Sequence, residues 1–193
     1  MPKPSGHSRR FKARFRRHAF GWKSQPAITR PHEAVSEITL VARIDPRLGA
    51  EGAVALLERI SPVLENVDSS SGAIGTAVNH TIAELVPVIV AAPADASTRA
   101  TWLERLFDAH SADQTPYIER LADSWGELCG AAEVASAWAD RLINITRLAL
   151  SPDKNIRGYF HGTSACLSAL FAAGRHDELI ELVRGGVTAR PTV

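Results

Sequence analysis

In Ala53-Val54-Ala55-Leu56-Leu57-Glu58-Arg59-Ile60-Ser61-Pro62-Val63-Leu64-Glu65-Asn66-Val67, the residues Ala53, Leu57, Ile60, Leu64 and Val67 recur at i, i+4, i+7, i+11 and i+14. A helix of 3.6 residues per turn puts these positions on one face, whereas a half-buried strand would alternate apolar and polar residues, so the segment reads as an amphipathic helix. Pro62 lies inside the stripe and predicts a kink or a break into two shorter helices.

The same pattern, an apolar stripe closed by Pro, Gly or Ser, repeats outward from this segment. Before it, a helix starting near Pro31, with Thr29 or Arg30 ahead of it, carries Val35, Ile38 and Ala42. It stops before Asp45-Pro46, because the residue preceding a proline is pushed out of the helical region. After it come Ile74, Val78, Ile82, Leu85 and Ile89, with Pro87 near the end and Ala92-Pro93-Ala94-Asp95 as a connection. A fourth stripe is Trp102, Leu103, Leu106, Phe107 and His110. Thr115-Pro116, a hydroxyl cap followed by proline at the first helical position, predicts a fifth helix with Ile118, Leu121, Trp125 and Leu128 inside and Gly130 at its end. A sixth shows Val134, Trp138, Leu142, Ile145 and Ala149, stopping at Ser151-Pro152. A seventh shows Ile156, Phe160, Thr163, Leu167 and Leu170, and a short eighth runs from about Asp177 to Arg184. No window of alternating β-branched residues competes, so the fold class is all-α. Short connections force antiparallel neighbours, which gives stacked antiparallel helical hairpins, as a solenoid or a compact bundle.

Composition fits one globular chain. Of 193 residues, 45% are hydrophobic and 22% charged, enough to bury a core, which excludes a chain disordered throughout and a collagen-like or mucin-like polymer. Cys129 and Cys166 are too few for a disulfide scaffold and lack the spacing of a zinc site, which points to the cytoplasm. The most apolar stretch, Leu85 to Ala94, is about half the roughly 20 residues of a bilayer-crossing helix, so no membrane span is expected. Ser8-Arg9-Arg10-Phe11-Lys12 resembles a twin-arginine export signal, but the basic Ala13-Arg14-Phe15-Arg16-Arg17-His18 stands where an apolar segment is needed, so export is not expected.

The formal net charge of +1 conceals a split. Nine of the 22 Lys and Arg fall in residues 1–31, with no acid before Glu33, which leaves 13 basic residues against all 21 acidic ones in the remainder. Read as a helix, residues 1–30 form a basic amphipathic arm, with Phe11, Phe15, Ala19 and Trp22 on one side. Arg9, Arg10, Lys12, Arg14, Arg16 and Arg17 are the candidate contacts to nucleic acid, through counterion release and base stacking. The plainer readings are a solvated tail or an arm docked on the acidic body. Residues 31–184 form the helical domain and 185–193 a flexible tail.

Other chemistry-bearing clusters are sparse. Asp68-Ser69-Ser70-Ser71-Gly72-Ala73-Ile74-Gly75 could present amides to an anion, but it lacks the ending of a nucleotide loop and reads more simply as a serine-capped helix start. Glu104, Asp108, His110 and Asp113 gather round a helix end, where a divalent metal or a proton-transfer histidine is conceivable, against the plainer reading of a histidine in a helix's last turn. His161 and Cys166 are five residues apart and would not share a helix face, so a nucleophilic pair is not expected. Trp102, Trp125 and Trp138 sit in apolar stripes and read as core, with indole nitrogens that should find acceptors. No carboxylate pair, metal spacing or triad order is evident, which argues against an enzyme, and no cofactor or metal is implied.

Two resemblances add to this. Ala165 to Val183, with Gly174 at the turn and Asp177-Glu178 opening the second helix, resembles the helix-turn-helix of a tetratricopeptide repeat, departing from it at Leu179, where the repeat prefers alanine. The stretch Ala53 to Leu85 resembles a helical region found downstream of SWIM-type zinc fingers in bacterial proteins, and the likeness extends from about Phe11 to Val183. It implies a helical-repeat fold and a bacterial source but no activity, and the finger's own Cys-x-Cys and Cys-x-His are absent. Related chains continue with further helices where this one turns to Arg184-Gly185-Gly186, so a truncated member of a longer family, or a face covered by a partner, is expected there. The leading expectation is a non-catalytic interaction module that binds a protein partner or a second copy of itself. The alternatives are nucleic-acid binding through the arm and a hydrolase-like or metal-dependent activity around His110.

Overall fold

The structure of the chain is a computed structural model that describes residues 24–64, 72–153, 155 and 157–187. Residues 1–23 of the basic arm, the serines of the 68–75 loop, Val67, Ile156 and the tail beyond Val187 lie outside the described residues, while residues 24–30 of the arm belong to the first helix. The described residues form eight α-helices and no strand, which establishes the all-α class. They are α1 Ser24–Ile44, α2 Pro46–Leu64, α3 Ala73–Ala91, α4 Ala96–Ser111, α5 Trp125–Cys129, α6 Ala132–Ala149, α7 Thr163–Ala172 and α8 His176–Val187, with a 3-10 turn at Glu119–Ser124 before α5. They gather into two compact units, the first ending at Leu121 and the second beginning at Ala122.

In the first unit α2 is central: it packs against α1, α3 and α4, and α1 also packs on α3. Neighbours on several sides explain why α2 buries Val54, Ala55, Leu56 and Val63 in addition to its stripe. The turn from α1 into α2 is a single residue. Asp45 takes the N-cap position, its carboxylate accepting the Leu48 amide at 3.0 Å, and Pro46 occupies the first helical position, where its missing N–H costs nothing. The two helices then approach so closely that a Cβ on Gly49 would fall 2.5 Å from that of Ala42. Asp95 caps α4 through the Thr98 amide at 2.7 Å. The exposed carbonyls ending α3 are closed by the buried Arg99, whose guanidinium donates to Ile89 at 2.9 Å and Ala92 at 3.1 Å while lying over the Trp102 ring. Among the described residues α3 is the one helix long and apolar enough to cross a membrane. It is longer than the Leu85–Ala94 stretch because its helical span takes in Ile74, Val78 and Ile82, all three buried.

In the second unit α7 packs against α5, α6 and α8. Gly126 of α5 lies so close to α7 that a Cβ there would stand 2.5 Å from the Ser168 carbonyl oxygen and from the Ala172 Cβ. Ser168 joins the two elements, its hydroxyl donating to the Asp123 carbonyl at 2.8 Å and accepting the Gly126 amide at 3.0 Å. Trp125 meets Trp138 of α6 edge to face at 5.1 Å. Gly130 and Gly174 take φ of 73° and 71°, the left-handed conformation that ends a helix and turns the chain.

Several boundaries differ from the sequence reading. Helix α1 begins at Ser24 and carries Pro31 inside it, and α2 runs as one helix through Pro62 to Leu64, the ring at Pro62 removing the backbone bond to the Glu58 carbonyl without ending the helix. Gly72, at φ 69°, rather than a serine, takes the N-cap position of α3, with no side-chain cap. The fifth helix does not open at Thr115-Pro116, because Asp113 accepts the Ile118 amide at 2.8 Å and holds the chain in a tighter path until Trp125. The seventh helix starts at Thr163, with Arg157 to Phe160 in no regular element and His161-Gly162 in a turn, and α8 continues to Val187.

Candidate functional site

The polar cluster of the fourth stripe does not converge on one point. Glu104 and Asp108 lie on the exposed side of α4, while His110 and Asp113 are buried. Asp113 is a structural anchor: one carboxylate oxygen accepts the Ser61 hydroxyl of α2, the other the Ile118 amide. Among the described residues no group of three His, Cys, Asp or Glu is placed to hold a metal ion. His161 and Cys166 also part company. His161 precedes α7 and meets the Tyr159 ring at 4.7 Å, whereas Cys166 lies inside α7, fully buried, its thiol pushed up chiefly by that burial. A buried thiol held in its neutral form is a small core residue rather than a nucleophile.

Three arginines that the stripes pass over organise the helices. Besides Arg99, Arg105 of α4 donates to both oxygens of Glu58, at 2.8 and 2.7 Å, and to Glu51 at 2.5 Å. Glu51 also accepts the Trp102 indole N–H at 2.7 Å, which supplies the acceptor expected for that tryptophan. These bonds, to Glu58 first, raise the Arg105 guanidinium above its ordinary range. Arg175, immediately after the Gly174 turn, grips both oxygens of Glu178, at 2.6 and 2.7 Å, and reaches Asp140 of α6 at 2.6 Å. Glu178, held mainly by this contact, is correspondingly lowered. The only sequence signal for such clamps is a charged residue flanking a buried stripe, and the carboxylate partners on other helices, Asp140 for Arg175 and Glu58 and Glu51 for Arg105, lie 35 to 54 positions away.

With Arg175 fixing the start of α8 against α6, the unit leaves apolar side chains of both helices exposed. Ile145 and Leu148 of α6 are 50% and 55% exposed, and Ile180 and Val183 of α8 45% and 42%. A cleft of about 320 Å³ opens between the end of α6 and α8, lined by Leu148, Leu150, Pro152 and Leu182, with Arg147, Glu178 and Glu181 as its charged members. Apolar walls flanked by both charge signs suit a helix or an extended peptide better than a small polar substrate. The candidate nucleic-acid contacts, Arg9 to Arg17, lie outside the described residues. No known protein family, curated protein or solved structure matches the chain.

Proposed function

We propose that the protein is a non-catalytic helical interaction module that binds a protein partner on the apolar face of α6 and α8. The observation behind this reading is the apolar face that Leu148, 55% exposed, and Leu182, with Leu150 and Pro152, present to the cleft at the end of α6. Apolar walls gathered in one open cleft mark an interaction surface, whereas single exposed side chains away from it, such as Ile180 and Val183, need no explanation. The likenesses to a tetratricopeptide hairpin and to the helical region downstream of SWIM-type fingers are in keeping with it. The test is affinity capture by the wild type and by a Leu148→Glu variant, with circular dichroism to show that the fold is kept. Proteins retained by the wild type and lost by the variant support the reading, and identical capture by both overturns it.

A second reading rests on the charge split. Nine basic residues ahead of the first acid favour contact with nucleic-acid phosphates through Arg9, Arg10, Lys12, Arg14, Arg16 and Arg17.

A further inference from the structure

Where α1 packs on α3, the rings of His32 and His80 stand 5.5 Å apart between centroids, tilted by 58°. Both residues are exposed, so neither ring is placed there by burial in a core. Glu84, one turn beyond His80 on α3, places a carboxylate oxygen 3.1 Å from its Nδ1. A carboxylate that holds Nδ1–H fixes the imidazole tautomer and leaves the Nε2 lone pair outward, the arrangement that supports metal-ligating histidines.

We infer that His32 and His80 form a surface binding site for a borderline-soft divalent cation of the Zn2+, Ni2+ and Cu2+ class, with Glu84 as the residue that positions His80. Imidazole is the ligand this class of cation prefers, and hard Mg2+ or Ca2+ would find too few oxygens there. Metal–nitrogen distances of about 2.0–2.1 Å in a tetrahedral arrangement put two ligating ring centroids roughly 5 Å apart, close to the separation that these rings already have. The site has two protein ligands, and water completes the coordination. The two histidines are 48 positions apart in sequence and belong to different helices, so a bound ion ties α1 to α3 and stabilises the first unit by linkage.

Calorimetric titration of the full chain with zinc chloride tests this, alongside His32→Ala, His80→Ala, Glu84→Gln and, as a control in the second unit, His176→Ala. The wild type and His176→Ala should bind one equivalent saturably. Each of His32→Ala and His80→Ala should lose that binding, and Glu84→Gln should weaken it about 10-fold. With Cu2+ in place of Zn2+, electron paramagnetic resonance should show two-nitrogen coordination in the wild type and its loss in both histidine variants. Because the substituted side chains are exposed, unchanged circular dichroism separates loss of the site from loss of the fold. Wild-type affinity in either histidine variant, or no saturable zinc binding by the wild type into the millimolar range, overturns the assignment.

Discussion

Single side chains fix the helix ends and the contacts between helices. The Asp95 carboxyl lies below its ordinary value of 3.8, first because it accepts the Thr98 amide. A depressed value in the folded state means that the cap stabilises above the unfolded value and is lost as pH falls through the folded one. Asp95→Ala should therefore lower the melting temperature by a few degrees at neutral pH, with the difference from wild type closing as pH falls below about 4, and Asp95→Asn should keep most of the cap. Arg105 satisfies two carboxylates at once, and a lysine cannot reproduce its fork. Urea unfolding should show Arg105→Ala destabilised by about 2 kcal/mol and Arg105→Lys by roughly half of that. Cys129 and Cys166 are 1% and 0% exposed, so a thiol reagent should modify neither in the native protein and both promptly in urea.

At the level of elements, glycines separate tight packing from open surface. Gly126→Ala must push a methyl group into the Ser168 backbone of α7, and overpacking of this kind should cost about 1–3 kcal/mol in urea unfolding. Gly75, in the first turn of α3, has nothing within 4 Å of an added Cβ, so Gly75→Ala should instead stabilise by about 0.5 kcal/mol through helix propensity and the unfolded state. The stripes of α2, α4 and α6 are legible in the sequence because each buried face is written in its own apolar spacing. The path from Ser111 to Trp125 is not legible: Thr115-Pro116 carries a good local start signal, but Asp113, tied to Ser61 52 positions earlier, overrides it. A local cap signal is worth about a kilocalorie per mole, and a buried carboxylate with two donors outweighs it.

For the whole molecule, the near-neutral total charge misleads, because the arm and the body differ in sign. If the arm engages nucleic acid, binding of a mixed-sequence single-stranded oligonucleotide should fall linearly with salt on logarithmic axes, by about 0.7 per phosphate contacted, and vanish when residues 1–23 are removed. Salt-insensitive binding, or binding kept without those residues, would exclude the arm as the site. The apolar face of α6 and α8 makes the converse expectation, since removal of residues 1–23 should leave partner capture unchanged.

The sequence by itself determined the all-α class, most helix positions, the turn at Gly174 and the tryptophan-containing core, because periodicity, proline and glycine act within a few residues of where they are written. Tertiary structure alone decided which polar side chains meet. Arg105 finds Glu51 and Glu58, Arg175 finds Asp140, Asp113 finds Ser61, and His32 finds His80. Each of these pairs depends on how two helices far apart in the chain are placed side by side, and no single helix's own pattern contains that placement. The same holds for exposure: Ile145 reads as a core residue in the sixth stripe, and only the packing around α6 leaves it half exposed.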